Sequence, residues 1–304
     1  MRTGALSVAD ALRRAKALAV DRLDAQLLLA RILGRPRSWL LAHDDAALDD
    51  AQAAAMLAAL ARRAVGEPLA YLLGEKEFHG LLLQVNADVL VPRPETELLV
   101  DWALEVLTHE RADVANPRVI DLGTGSGAIA LAVKRARPGA AMLATDVSAA
   151  ALDVARANSK RLGLDVRCQR SSWWSGLAEQ RFHLALSNPP YIAGDDPHLP
   201  ALRHEPTLAL SPGGDGLEAL RVIIGGASEH LEPGGWLLLE HGHDQAEAVQ
   251  LLLRSHGLTG IETRRDLGGR PRCTGAHRPT EPSVNDTTLT TRARGVLSGQ
   301  SQHG

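Results

Sequence analysis

Residues 119–127 read Val119-Ile120-Asp121-Leu122-Gly123-Thr124-Gly125-Ser126-Gly127. A short apolar strand runs straight into three alternating glycines, and a helical stretch, 128–137, follows. A strand, a glycine loop and a helix start in that order form the ligand-binding edge of a parallel α/β sheet. Glycine is needed where backbone approaches a ligand with no Cβ in the way. The helix start offers free N–H groups to a polar or anionic ligand. The next strand, 141–145, ends at Asp146. There a carboxylate can accept hydrogen bonds from both hydroxyls of a ribose.

Downstream the alternation continues. A helix is expected over 149–162, strands over 166–169 and 183–187, a helix over 217–231, a strand over 235–240 and a helix over 245–256. This pattern predicts a Rossmann-like α/β domain, a parallel sheet with helices on both faces.

Upstream the character changes. Leu12, Ala15, Leu18 and Ala19 recur at helical spacing, as do Leu23, Leu27, Leu28 and Ile32. Asp21 or Asp24 is placed to cap the second of these helices, and Gly34-Arg35-Pro36 to end it. An alanine-rich helix is expected over 50–64. Residues 71–95 read as a β-hairpin, with β-prone runs 78–85 and 89–91 around a turn at Asn86-Ala87-Asp88. Thr96 is placed to cap a helix over 97–107. The expected division is a helical bundle at 1–70, a hairpin linker at 71–95, the α/β domain at 96–278 and a disordered tail at 279–304, where large apolar side chains are scarce.

The loop alone does not choose its ligand. Gly123-x-Gly125-x-x-Ala128 also satisfies the looser dinucleotide pattern, so NAD is a rival. Two features favour S-adenosylmethionine (SAM): the additional Gly127, and Asp121 just before the loop, an acid suited to the ammonium end of a methionine moiety.

The second informative stretch is Asn188-Pro189-Pro190-Tyr191, at the carboxyl end of the strand 183–187. An amide or exocyclic amine nitrogen is a poor nucleophile because its lone pair is delocalised. Two acceptors, the Asn188 side-chain oxygen and the Pro189 carbonyl, can bind its two N–H groups and favour charge building on it. Proline fixes the backbone and brings no competing donor, and Tyr191 offers a flat face for a planar acceptor. Alone, the turn is an ordinary Pro-Pro strand closure. After the glycine loop it predicts methyl transfer to a planar nitrogen.

With these motifs in view, the sequence resembles the bacterial release-factor glutamine N5-methyltransferases (the PrmC/HemK family). The likeness spans about residues 5–278. It is carried by Val91-Pro92-Arg93-Pro94-Glu95-Thr96-Glu97, by 121–131, by Asn188-Pro189-Pro190-Tyr191-Ile192, by Glu205-Pro206 with Gly213-Gly214-Asp215-Gly216-Leu217, and by Asp266-Leu267-Gly268-Gly269-Arg270. The resemblance implies a substrate, the glutamine in the Gly-Gly-Gln loop of peptide chain release factors. It implies that Gly123, Thr124, Gly125, Ser126, Gly127 and Asp146 hold SAM, with Trp173 against its adenine. It implies that Asn188, Pro189, Pro190 and Tyr191 hold the glutamine, and that Phe78 lines the same pocket. One departure stands out: Ser172 occupies the place before the aromatic where the family commonly carries an acid.

Composition narrows the rest. The chain has 304 residues, and its net charge of −3 (33 basic against 36 acidic) argues against a protein built to grip nucleic acid. The runner-up, methylation of an amino group of adenine or guanine, shares the Asn-Pro-Pro-Tyr turn but wants a basic recognition domain. A non-catalytic SAM- or factor-binding protein is the third reading. The two cysteines, Cys168 and Cys273, lack C-x-x-C spacing, and His241-Gly242-His243 brings no further ligand cluster, so no metal is expected. Arg264-Arg265 and Arg270 to Arg272 read as a solvated basic group. Acidic and basic residues break the N-terminal stretch, and no apolar run nears the ~20 residues of a membrane helix. A cytoplasmic monomer is expected, without membrane or stable nucleic-acid binding.

Overall fold

The computed structural model describes residues 6–280, so the expected tail lies outside the described residues from 281 onward. Five helices come first: α1 (Val8–Ala17), α2 (Arg22–Leu33), α3 (Arg37–Ala42), α4 (Asp50–Ala64) and α5 (Leu69–Leu73). The starts of α1, α2 and α4 are written in short polar side chains, while α3 and α5 start at Pro36 and Pro68. Ser7 and Asp10 form a reciprocal capping box on α1, as do Asp49 and Gln52 on α4. Of the two candidate caps for α2 it is Asp21 that accepts from the N–H of Leu23 at 2.7 Å. Asp24 instead pairs with Arg63 of α4 at 2.7 Å. Gly34, at φ 62°, closes α2 in the left-handed conformation that glycine takes without penalty. Leu28, Leu29, Met56 and Leu60 are buried between these helices.

The hairpin is present, but its turn is not where the sequence predicts it. Strand β1 (Glu75–Phe78) pairs with β2 (Leu81–Gln84) around His79-Gly80. Both turn residues have positive φ, 47° and 72°, which matches the twist of a two-residue hairpin. Asn86 to Asp88 forms a separate local turn, in which the Asn86 side chain accepts from the Asp88 N–H at 3.0 Å. Residues 89–91 are not a strand.

A 3₁₀ turn (Pro94–Thr96) leads into α6 (Glu97–Glu105) and a π turn (Val106–Glu110). The α/β unit follows: β3 (Arg118–Leu122), α7 (Ala128–Ala136), β4 (Ala141–Asp146), α8 (Ala149–Leu162), β5 (Val166–Arg170), β6 (Phe182–Ser187), a 3₁₀ turn (Leu199–Leu202), α9 (Thr207–Leu210), α10 (Glu218–His230), β7 (Leu231–Glu240), α11 (Ala246–Ser255), β8 (Thr259–Arg265) and β9 (Pro271–His277). The sheet order is β5-β4-β3-β6-β7-β9-β8. Five strands are parallel, and β9 runs antiparallel to both β7 and β8. The all-parallel sheet expected from sequence is therefore corrected at one end. Strand β8 is a charged edge carrying Glu262, Arg264 and Arg265, and β9 buries Cys273, Thr274, Gly275 and Ala276, a run of small side chains that lacks the usual strand signature.

Alternation along the central strands divides the core in two. Val119, Leu184, Leu186 and Leu238 pack with Leu99, Trp102 and Leu131, while Ile120, Ala185, Leu237 and Leu239 pack with Leu220, Ile223 and Val249. Complete burial of such side chains contributes about 1.5–3 kcal/mol each. The central strands are thus held on both faces, and their carboxyl ends form a rigid rim.

Candidate active site

At that rim lies a cavity of about 410 Å³. One wall is Gly123 to Ser126 at the end of β3, Asp146 at the end of β4, and Ser172 and Trp173 after β5. The floor reaches Asn188 and Pro190 after β6, and the facing wall includes Arg93, Thr96, Leu208 and Val222. Among the described residues no helix is long and apolar enough to cross a membrane.

All three loop glycines have positive φ: 74°, 54° and 84° at 123, 125 and 127. A Cβ on Gly123 would come within 3.3 Å of the Trp173 ring, so the indole lies close over bare backbone. Trp173 itself has φ 51°, a costly conformation for a bulky residue that marks a constrained site. Gly127 works differently. It does not line the cavity, and a Cβ there would press on Leu131 and Ala155, so this glycine serves the packing of α7 against α8. Asp146 is locked by two backbone donors, Gly125 N–H at 2.9 Å and Ser148 N–H at 2.8 Å, one to each carboxylate oxygen. Each oxygen keeps a lone pair. A bare-backbone cradle, an indole and an oriented carboxylate fit a nucleoside-bearing cofactor.

Asp121 is fully buried and is not part of the cavity wall. Its Oδ2 accepts from the Thr124 hydroxyl at 2.6 Å, and Oδ1 is buried without a hydrogen-bond partner among the described residues. Burial pushes its carboxyl from an ordinary 3.8 up to about 7. The native state therefore binds more protons than the unfolded chain between about pH 4 and pH 7, and stability falls as pH rises through that window. Asp121→Asn is expected to flatten that fall, as read from melting temperatures over a pH series. An unchanged slope would remove Asp121 as its source.

Asn188 donates from Nδ2 to the Thr96 hydroxyl at 3.1 Å. Its Oδ1 makes no hydrogen bond among the described residues, so the amide presents an acceptor at the cavity. Thr96 does not cap α6 as expected, because its side chain is engaged here. The Tyr191 phenol donates to Glu240 Oε1 at 3.1 Å, and its ring packs against the α10-side core. Neither Tyr191 nor Pro189 lines the cavity, whereas Pro190 does. Phe78 requires a correction. It is 1% exposed and packs in the core beneath the hairpin with Leu81 and Leu83, away from the cavity. An aromatic at the end of a short hairpin strand is drawn into the core by its area.

Several residues the sequence reading quoted without a settled role acquire one here, and Glu240 is added to them. Arg93 pairs with the buried Glu205 at 2.5 Å, and Glu205 also accepts from the Val91 N–H at 3.1 Å. Glu240 had a visible signal, an acid ending the apolar run Trp236-Leu237-Leu238-Leu239 at the ligand edge of the sheet. His241 is buried, with one ring nitrogen on the Thr274 hydroxyl at 2.7 Å and the other on the Gly242 carbonyl at 2.8 Å. Part of the basic group is bound up internally: Arg264 reaches Glu105 at 2.6 Å and lies over Trp102, and Arg272 meets Asp266 at 3.2 Å.

A mixed sheet in this order, with a glycine loop after β3 and an Asn-Pro-Pro-Tyr turn after β6, defines a class I methyltransferase fold. Residues 6–74 match the PrmC N-terminal domain model and residues 97–255 the methyltransferase small domain model. The release factor glutamine methyltransferase of Bordetella pertussis is 51% identical over 261 residues, 85% of this chain and 95% of that protein. That of Burkholderia pseudomallei is 47% identical over 288 residues, 92% of this chain and all of that protein. The chain belongs to the release factor glutamine methyltransferase family. Among solved structures, the hMettl16 catalytic domain in complex with the MAT2A 3′UTR hairpin 1 superposes with a TM-score of 0.53 at 17% identity, covering 77% of this chain and 85% of that one. This likeness speaks to fold alone.

Proposed function

We propose that this chain methylates the side-chain amide nitrogen (N5) of the glutamine in the Gly-Gly-Gln loop of peptide chain release factors, with SAM as donor. The observation that carries the reading is the Asn188 amide, held by Thr96 with Oδ1 unused at the cavity beside the cofactor cradle. SAM, when bound, supplies an electrophilic methyl group. Gly123, Thr124, Gly125 and Ser126 hold it through backbone, Asp146 through the ribose hydroxyls, and Trp173 against the adenine. Asn188 Oδ1 accepts one N–H of the glutamine at the cavity, and the Pro189 carbonyl, which joins the two lining residues without lining the cavity itself, is the acceptor for the other; the pair orients the nitrogen and favours positive charge on it. Alignment of nitrogen and methyl supplies much of the rate. Pro190 shapes the floor, and Tyr191 anchors the turn through Glu240. No strong base is required, because the nitrogen becomes acidic as it gains the methyl. We assign residues 1–70 to substrate recognition and 96–278 to methyl transfer, in a monomer working in the cytoplasm.

Ser172 lies on the cavity wall beside Trp173 without a charge to offer the adenine amino group. Ser172→Asp is expected to tighten SAM binding severalfold, on the order of 1 kcal/mol for a charge-assisted hydrogen bond at an exposed rim. Equal dissociation constants by calorimetry would discard that account.

The decisive assay follows labelled methyl from SAM to purified full-length release factor, to a factor with Gln→Ala in its Gly-Gly-Gln loop, and to duplex DNA and ribosomal RNA. Label on the intact factor alone is expected. Label on nucleic acid alone would replace the glutamine reading with base methylation.

A further inference from the structure

Glu240 ends β7 directly beneath the acceptor turn and is 1% exposed. Its Oε1 accepts from the Tyr191 phenol, while its Oε2 is buried without a hydrogen-bond partner among the described residues. A buried acceptor with no donor is costly and calls for an explanation. Beside this carboxyl stands the Thr96 hydroxyl, which, like the Tyr191 phenol, favours its charged form. Thr96 accepts from the Asn188 NH2, but its own proton makes no hydrogen bond among the described residues. An orphaned acceptor and an unspent donor thus stand near one another behind Asn188, without a formed hydrogen bond between them.

A threonine hydroxyl is two-faced. It can accept from an amide NH2 or donate to an amide oxygen, so Thr96 alone does not fix which end of Asn188 faces the substrate. If the Thr96 proton is committed elsewhere, only the accepting role remains. The Asn188 NH2 must then point inward to Thr96 and its oxygen outward. With the amide reversed, an NH2 would face the substrate's NH2, donor against donor. Burial, with the nearby Glu95, pushes the Glu240 carboxyl up to about 7 against the pull of Thr96, Tyr191 and Arg272, so the carboxylate that can take the Thr96 proton gains ground as pH rises through 7. Arg272 is steadied in turn by Asp266 of the Asp266-Leu267-Gly268-Gly269-Arg270 turn, which accepts from the N–H groups of Gly268 and Arg270 at 2.9 and 3.0 Å.

We propose that Glu240 is a positioning residue for the acceptor site: its carboxylate takes the Thr96 proton, so that Thr96 can only accept from Asn188 and the Asn188 oxygen is left for the substrate. This rests on the glutamine-methylating reading of the site. Glu240 touches neither substrate nor cofactor, and acts through Thr96.

The test compares Glu240→Gln, Thr96→Val, Thr96→Ser and the Glu240→Gln/Thr96→Val double variant with the wild type. The glutamine side chain can offer Thr96 an NH2, and Thr96→Val deletes the hydroxyl at similar volume. Expected is a kcat lower by about tenfold or more in each of these two variants, with the SAM dissociation constant unchanged by calorimetry. Thr96→Ser recovers most of the loss, because the hydroxyl returns. The double variant is no worse than the poorer single, since both lesions break one chain. The Asn188 side-chain NH2 resonance gives a readout that needs no substrate, and it shifts in Glu240→Gln. Wild-type turnover in Glu240→Gln, losses that multiply in the double variant, or an unmoved Asn188 resonance would each overturn the proposal. A wild type that labels nucleic acid but no release factor would sink the glutamine reading instead, and the Asn188 resonance would still decide the role of Glu240.

Discussion

Asn188→Ala is expected to lower kcat for methyl transfer by about a hundredfold to a thousandfold while SAM still binds. The magnitude is that of deleting one preorganised group aimed at developing charge. Asn188 follows β6, whose Leu184, Ala185 and Leu186 are completely buried, so the truncation removes an acceptor without loosening the strand. Thr96 loses its donor, but Thr96 sits on the facing wall and the glycine loop is untouched. Calorimetry with SAM separates the two effects. Turnover that survives the substitution would remove Asn188 from the chemistry, and joint loss of SAM binding would make it a cofactor residue instead.

Gly216→Ala is expected to have the largest structural effect of any single methyl near the site. Gly216 has φ 79°, and a Cβ there would run into the carbonyl oxygen of Tyr191 and stand 3.1 Å from the backbone nitrogen of Ala193. Those atoms belong to the last residue of the acceptor turn and the chain just after it, and the Gln245 side chain holds the turn by donating to the same Tyr191 carbonyl at 3.0 Å. Backbone cannot swing aside as a flexible side chain can. The cost is about 2–4 kcal/mol, from left-handed strain together with overpacking. A lower melting temperature and a turnover defect should appear together, with SAM affinity less affected. A variant with wild-type melting temperature and rate would show that the turn yields freely.

Much of this was legible in the sequence. The loop 123–127, Asp146 and Asn188 could be placed because each ends a strand, and strand ends in parallel α/β sheets share one edge. The antiparallel pair β8–β9 was not legible, since its buried positions carry Cys273, Thr274 and Gly275 rather than branched apolar residues. Gly275 has a reason to be small: a side chain there would strike Leu238 and Trp102. The hairpin turn was misplaced because Asn86-Ala87-Asp88 is a real turn, only not the one joining the strands. Phe78 and Thr96 were misassigned for a common reason. What a side chain does depends on which distant group lies opposite, and for Thr96 that group is Asn188, ninety-two positions along the chain.

The segment after the acceptor turn is fastened at two remote points. Glu205 grips Arg93 and the Val91 backbone, and the neighbouring Arg203 and His204 side chains bond to the Val65 carbonyl just past α4. Pro206, Leu208 and Ala209 of this same segment form cavity wall. The helical unit is therefore one of two guy ropes for the pocket: what leans on the helices leans on the pocket's outer wall, and a chain lacking the residues before Leu69 would lose the Val65 fastening and keep only that of Glu205, even with every strand of the sheet in place.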